Sequence, residues 1–216
     1  MQAVFDVYAT GQVNASQFTK GLTSAFQPAW SPDGQWLVFG LSSCCQSRAT
    51  RNALLCRVTA NGSHFEQLTD GSINTGFPSF SSDTKCIVCR TWVTVLTNGK
   101  SSNHDNVPFW SPDSEIIVFT RRVSYINFDI CTIKPDGMDL QVLTTSGGND
   151  AHAVWTADGR ILYSTAEYEF RGEAAIYDNT YQPYGQIVTM DAYGGGKKSL
   201  VDGLWEDSMP LCRMSV

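Results

Sequence analysis

The fold of this protein is decided by the stretch Phe26-Gln-Pro-Ala-Trp-Ser-Pro-Asp-Gly-Gln-Trp-Leu-Val-Phe39. Its pattern is an apolar segment that ends in an aromatic residue, a polar bend that contains Asp, and a second apolar segment. The pattern returns at residues 77–89, 107–119 and 152–163, and a further copy begins at Met209. Similar segments spaced by roughly 40–50 residues are typical of proteins built from structural repeats.

Each copy predicts two antiparallel strands joined by a tight turn. In the first copy, Pro32 and Gly34 suit the backbone angles of a turn, and Asp33 can accept hydrogen bonds from the turn amides. Two more strands follow, at residues 54–58 and up to the Leu-Thr pair at 68–69. Four short strands make one antiparallel meander, and meanders repeated around an axis make a β-propeller. We expect the tryptophans of the repeat to be buried wedges between such blades: Trp30, Trp110 and Trp155.

The repeated phrase resembles a known family. Pro-x-Trp-Ser-Pro-Asp-Gly, followed by an apolar strand, an Asp-Gly turn and Leu-Thr, is similar to the WD40-like PD40 repeat. That repeat occurs in TolB propellers, including TolB-like proteins of plants and fungi, and in proteins similar to the propeller half of dipeptidyl peptidases. The resemblance extends from about Phe5 to Leu211. It implies an all-β β-propeller of four-stranded antiparallel blades, which in TolB-like proteins usually number six or more.

The spacing of the copies predicts a single partial propeller over residues 1–216, with about four to five blades and one blade truncated. The short blade passes from Trp92 directly into Val93, so one strand is missing from its pattern. The sequence favours a fragment or an altered splice product over a closed five-bladed ring, and open blade edges would allow self-association. The predicted blades are 1–24 (half), 25–71, 76–100 (short), 105–146, 150–203 and 207–216 (first strand only).

Composition excludes several classes of protein. The net charge is −6 and the 15 Lys and Arg residues are scattered, which argues against nucleic-acid binding. No apolar run approaches the roughly 20 residues that span a bilayer, and the N-terminus lacks the pattern of a signal peptide. Most of the seven cysteines replace apolar strand residues, as reduced buried thiols do. These features favour a cytoplasmic location, with export of a longer parent as the alternative.

Three aspartates share one register, five residues before the aromatic position of their copies. The first two copies have Ala25 and Thr75 there, and the later copies have Asp105, Asp150 and Asp207. In a propeller these residues would form a ring at one mouth of the central channel, with nearby Asn106, His152 and Glu206. Such a ring predicts a site for a divalent cation or a basic peptide. In the alternative, each Asp binds the backbone amides of its own connection.

The sequence contains no Gly-x-Ser-x-Gly elbow, no His-Glu-x-x-His and no phosphate loop, so we assign no catalytic or cofactor-binding residues. The long loop at 173–184 carries Tyr177, Tyr181 and Tyr184, and tyrosine-rich loops are good contact surfaces for proteins. The leading hypothesis is a non-catalytic scaffold that binds a protein or peptide. The alternatives are the propeller part of a peptidase or hydrolase, a channel-mouth metal-binding propeller, and a truncated isoform without independent function.

Overall fold

The computed structural model describes residues 24–42, 52–91, 97, 105–124, 127–167, 185–201 and 210–211. These residues form short β-strands joined by turns, and they include no helix, which confirms the predicted all-β class. In this part of the chain there is accordingly no helix long and apolar enough to cross a bilayer. The chain divides into two compact units, Met1–Thr94 and Val95–Val216.

The first unit contains two antiparallel sheets. In the first sheet the strands follow one another in chain order, and the second sheet has two described strands. The strands of the first sheet are β1 (Ser24–Trp30), β2 (Trp36–Ser42), β3 (Leu54–Thr59) and β4 (Phe65–Gln67). Those of the second sheet are β5 (Thr75–Phe80) and β6 (Ile87–Thr91).

The second unit contains two four-stranded antiparallel sheets, again in chain order. The third sheet consists of β7 (Asp105–Trp110), β8 (Ile117–Arg122), β9 (Phe128–Ile133) and β10 (Gln141–Val142). The fourth consists of β11 (Asp150–Trp155), β12 (Ile161–Thr165), β13 (Gln186–Met190) and β14 (Lys198–Ser199). These sheets have the predicted antiparallel meander of a propeller blade. The exact blade boundaries, and one propeller over the whole chain, stay predictions.

The turn between the first two strands of each sheet is closed by its Ser and Asp side chains. In the first sheet the hydroxyl of Ser31 donates to Asp33 Oδ1 over 2.5 Å and accepts from the amide of Trp36 over 2.9 Å. The other three sheets repeat this network with Ser81 and Asp83, Ser111 and Asp113, and Thr156 and Asp158. The serine hydroxyl, and then the backbone amide, lower the pKa of Asp33. The structural role predicted for these aspartates is confirmed.

Each first strand contains one β-bulge, which the sequence analysis did not predict. The register of the strand pair shifts at the same place in all four sheets. The bulged residue has a positive φ of about 50° and is never glycine: Gln27, Phe77, Val107 and His152. A left-handed backbone costs a non-glycine residue energy, so the surrounding strand pairs must hold this conformation in place.

The Leu-Thr pair of the repeat connects one sheet to the start of the next strand. The hydroxyl of Thr69 accepts a hydrogen bond from the amide of Leu55 over 2.9 Å, and it lies 3.2 Å from the hydroxyl of Thr75. Thr144 binds the amide of Ile130 in the same way over 2.9 Å. In both sheets this hydroxyl satisfies a backbone amide where the fourth strand diverges from the third.

Within each unit, the two sheets pack through the aromatic residue at the end of the first strand of the later sheet. Phe80 lies in one buried cluster with Val38 and Leu55 of the preceding sheet. Trp155 lies in another, and is buried against the third sheet. Trp110 is also buried, as predicted, but Trp30 is 51% exposed. The prediction that Trp30 is a buried wedge was therefore wrong, because no described sheet lies against its indole.

The contrast between two repeat tryptophans gives a stability test. Trp155→Ala removes a buried indole and leaves a cavity between the third and fourth sheets, so we expect a loss of about 3–5 kcal/mol in the free energy of unfolding. The control Trp30→Ala removes a half-exposed indole, and its cost should be below about 1 kcal/mol. Urea unfolding followed by far-UV circular dichroism measures both. Equal losses would contradict the packing described for Trp155.

Candidate functional site

The predicted acidic positions occupy one register of the first strands, as their spacing requires. Each lies directly opposite a residue of the second strand. The cross-strand pairs are Ala25–Leu41, Thr75–Thr91, Asp105–Arg121 and Asp150–Thr165. The same place in the fold is therefore apolar in the first sheet, neutral and polar in the second, and acidic in the third and fourth.

Asp105 forms an ion pair with the arginine across the strand pair. The Nε of Arg121 donates to Asp105 Oδ1 over 2.7 Å, and its Nη2 donates to Asp105 Oδ2 over 2.8 Å. Both side chains are mostly shielded from solvent, at 21% and 13% exposure for Asp105 and Arg121. The hydrogen bonds that the guanidinium donates to Asp105 raise the pKa of Arg121. Both oxygens of Asp105 thus bind the guanidinium of Arg121, whereas the structural alternative predicted hydrogen bonds from backbone amides of the connection.

Asp150 is buried, with 1% of its surface exposed. Its Oδ2 accepts a hydrogen bond from the hydroxyl of Ser146 over 3.0 Å, and that hydroxyl also accepts from the amide of Gly148. Its Oδ1 is buried and has no hydrogen-bond partner among the described residues. Asp150 thus binds a residue of its own connection, but through a serine hydroxyl and not through the backbone amides that the structural alternative predicted. Its other carboxylate oxygen is not satisfied by this connection.

A second buried carboxylate lies beside Asp150, and the sequence analysis missed it. Phe128 forms a parallel bridge with Asn149, so the next residues of the two strands, Asp129 and Asp150, lie abreast. Asp129 is 7% exposed. Burial, and then the charge of Asp150, raise the pKa of Asp129 to about 6, against the opposing effects of Thr144 and Lys197. The sequence did hold one indication of this carboxylate, because Asp129 is the residue of the third strand that pairs with Arg121 of the second.

His152 is the bulged residue of β11, with φ of 54°. Its Nδ1 is buried and has no hydrogen-bond partner among the described residues. Burial lowers the pKa of the imidazole, so the ring is neutral at pH 7. The position of His152 is therefore set by the β-bulge of β11 and not by an ion pair of its imidazole.

Asn106 lies on β7, where its Oδ1 accepts a hydrogen bond from the amide of Val107 over 3.1 Å. The other predicted residues lie outside the described part of the chain: Asp207, Glu206, Tyr177, Tyr181 and Tyr184. Within the described ranges, no three His, Cys, Asp or Glu side chains come close enough to hold a metal ion together. The divalent-cation site at Asp105, Asp150, His152 and Asp207 stays a prediction. The tyrosine loop stays a prediction as well.

An exposed apolar patch lies at the outer edges of the third and fourth sheets. β10 is the last strand of its sheet, and the turn after β13 meets it, because the backbone at Gly194 lies against the carbonyl of Leu143. This contact brings the turn that carries Tyr193 against the end of β10. The patch, here called the rim patch, consists of Met138 (62% exposed), Leu140 (45%), Val142 (50%) and Tyr193 (79%).

Solved structures with this arrangement of sheets are known. TolB from Acinetobacter baumannii is 17% identical, with a TM-score of 0.59 over 86% of this chain and 45% of TolB. A protein from Agrobacterium tumefaciens assigned as TolB is 18% identical, with a TM-score of 0.64 over 84% of this chain and 66% of that protein. The chain has the fold of a TolB-like β-propeller. A chain of the nidogen–laminin complex is 12% identical, with a TM-score of 0.56 over 84% and 66% of the two chains.

The similarity to TolB defines the fold but not the function, since the sequence identities are only 17% and 18%. The chain spans less than half the length of the Acinetobacter TolB. No family model and no curated protein matches its sequence. Its activity and partners must therefore be argued from its own residues.

The Asp129–Asp150 pair predicts an unusual pH dependence. A pKa of about 6 lies above the ordinary value, so the folded chain binds this proton more tightly than the unfolded chain does. The stability linked to Asp129 is present below about pH 4 and is lost as the pH rises through 6. Asp129→Asn removes the buried charge and can donate its amide to Asp150, so we expect it to stabilise the protein by about 2 kcal/mol at pH 7.5 and by almost nothing at pH 4.

Chemical unfolding at pH 4, 5, 6 and 7.5 checks this expectation. Asp139→Asn is the control, because Asp139 is 58% exposed and pairs with Lys134 at the surface. Its effect should stay below about 1 kcal/mol at each pH. A flat difference between Asp129→Asn and the wild type over this range would show that the pKa of Asp129 is not raised in the folded chain.

Proposed function

We propose that this protein is a propeller scaffold that binds a protein or peptide partner through the rim patch. The observation that carries the proposal is the exposure of four large apolar side chains at adjoining edges of two sheets. Single exposed apolar residues are ordinary, but a cluster of them marks a surface that another molecule covers. The corresponding strand of the first sheet, β4, has the sequence Phe-Glu-Gln and exposes no large apolar side chain.

The patch is held in shape by its turns. Asp191 Oδ1 accepts hydrogen bonds from the amides of Tyr193 and Gly195 over 2.9 and 2.8 Å, and these amides lower the pKa of Asp191. An ion pair of Lys134 with Asp139, 2.5 Å long, flanks Met138 on the other hairpin. A surface that is ordered before binding loses less entropy when a partner docks. This order supports a docking role for the patch.

The charges beside the patch indicate the chemistry of the partner. Lys197 and Lys198 are exposed on the hairpin that carries Tyr193. Apolar anchors with charged residues at the margin are typical of interfaces, and opposite charges on the partner speed association. The partner that fits is therefore a segment with aliphatic or aromatic side chains followed by acidic residues.

The comparison with solved structures supports the scaffold role in a general way. One of the similar propellers belongs to a complex of two proteins, nidogen and laminin. The peptidase or hydrolase alternative stays a prediction from the sequence resemblance.

A binding experiment with matched variants tests the proposal. The full chain is immobilised, proteins retained from a cell extract are quantified, and the affinity of the retained protein is measured by calorimetry. Val142→Glu with Tyr193→Ser should weaken binding at least tenfold, because a charge then faces the apolar anchors of the partner. The control is Val123→Glu, since Val123 is similarly exposed at 44% but lies outside the patch. It should change the affinity less than twofold.

A second set of variants separates the rim patch from the predicted tyrosine loop. Replacement of Tyr177, Tyr181 and Tyr184 by serine tests the loop. Loss of the partner in this variant, with full binding in the rim-patch variant, would assign the interface to the loop and contradict our proposal.

A further inference from the structure

Each described junction within a unit uses the same apolar set, which we call the seat. It consists of three aliphatic residues on the face of a sheet that meets the next sheet, one from each of the second, third and fourth strand positions. Register and hydrogen bonds identify the equivalent residues. The seats are Val38, Leu55 and Leu68 in the first sheet, Val118, Ile130 and Leu143 in the third, and Leu162, Ile187 and Leu200 in the fourth.

Two of these seats are filled by the repeat aromatic of the next sheet. Phe80 clusters with Val38 and Leu55, and Leu68 packs against the same cluster. Trp155 belongs to one buried cluster with the whole seat of the third sheet. In the filled seats Val38 and Val118 are completely buried. A seat without an aromatic on it leaves aliphatic surface in water.

The seat of the fourth sheet is formed but remains accessible. The amide of Leu200 donates to the carbonyl of Ile187 over 2.8 Å, as the amide of Leu143 does to Ile130 over 2.8 Å. The backbone of this seat therefore matches that of a filled one. Leu200, however, is 52% exposed where Leu143 is 8% exposed, and Leu162 and Ile187 are only partly buried.

The chain also carries one repeat aromatic that is accessible. Trp30 is 51% exposed, whereas its counterparts Phe80 and Trp155 are 8% and 3% exposed. The turn that follows it, residues 32–35, is exposed as well, so another molecule can reach the indole. We propose that the Trp30 indole of one copy of this chain binds the fourth-sheet seat of a second copy.

The residue that binds the fourth-sheet seat can be inferred from the residues that fill the other two seats. A partner for the seat must present an aromatic side chain at the end of a strand and before a Ser-x-Asp turn, and Trp30 is followed by that turn. The two surfaces differ, so the contact is heterologous, and a dimer keeps a free seat on one copy and a free indole on the other. Association is therefore head to tail and continues beyond a dimer as concentration rises. The rim patch takes no part in this contact, so the inference is independent of the proposed function.

Sedimentation velocity over a concentration series tests the inference with the full chain. The wild type should show a weight-average mass that rises with concentration past the dimer. Trp30→Ser removes the indole and Leu200→Lys places a charge in the seat, and each should weaken association at least tenfold. Val123→Lys is the matched control, because Val123 is 44% exposed but lies outside both the seat and the rim patch. It should associate as the wild type does.

A mixture of the two defective variants tests whether the contact is head to tail. Trp30→Ser retains an intact seat and Leu200→Lys retains an intact indole, so an equimolar mixture should form a dimer and stop there. A contact between two identical surfaces would give no such recovery. A wild type that stays monomeric, association unaffected by both substitutions, or a mixture that stays monomeric would each overturn the inference. Far-UV circular dichroism confirms that both variants keep the strand content of the wild type.

Discussion

The structure depends on one contact, the insertion of an aromatic side chain into three aliphatic residues of the preceding sheet. A four-stranded meander has two apolar faces and cannot bury both alone, so each sheet requires a neighbour. Trp155 packs against the preceding sheet in the second unit, and Phe80 does so in the first. The Ser-x-Asp turn follows the aromatic directly and orients the strand that carries it. The repeated segment of the sequence therefore determines how neighbouring sheets pack as well as how each hairpin forms.

The backbone hydrogen bonds of the junction stay constant while its side chains change. Thr69 and Thr144 make the same bond to the third strand. The residues beside them are Leu54 and Thr75 in the first unit and Asp129 and Asp150 in the second. A neutral pair serves the first junction, so the fold itself does not require the two carboxylates. Their burial opposes folding at neutral pH, and this cost arises from the particular sequence of the second unit.

Local features could be predicted from the sequence, and features that depend on neighbours could not. The turn around Asp33 was predictable because all its hydrogen bonds lie within six residues. The acidic register of Asp105 and Asp150 followed from counting along the repeat. The pairing of Asp129 with Asp150 was missed because it depends on a bridge between strands of different sheets. Trp30 was placed wrongly because the same residue type is buried or exposed according to the sheet beside it, which the repeat pattern does not specify.

In the described residues of the second unit, the departures from the regular repeat are of two kinds. One is the buried acidic pair, which lowers stability at neutral pH. The other is apolar surface left in water, at the rim patch and at the fourth-sheet seat. Each departure has a regular counterpart elsewhere in the chain. Leu54 and Thr75 occupy the positions of Asp129 and Asp150, β4 corresponds to the edge strand of the rim patch, and the third-sheet seat corresponds to the accessible fourth-sheet seat. Because the regular version occurs in the same kind of sheet, the fold alone does not require these residues, and the contacts proposed above with other molecules account for the exposed apolar ones.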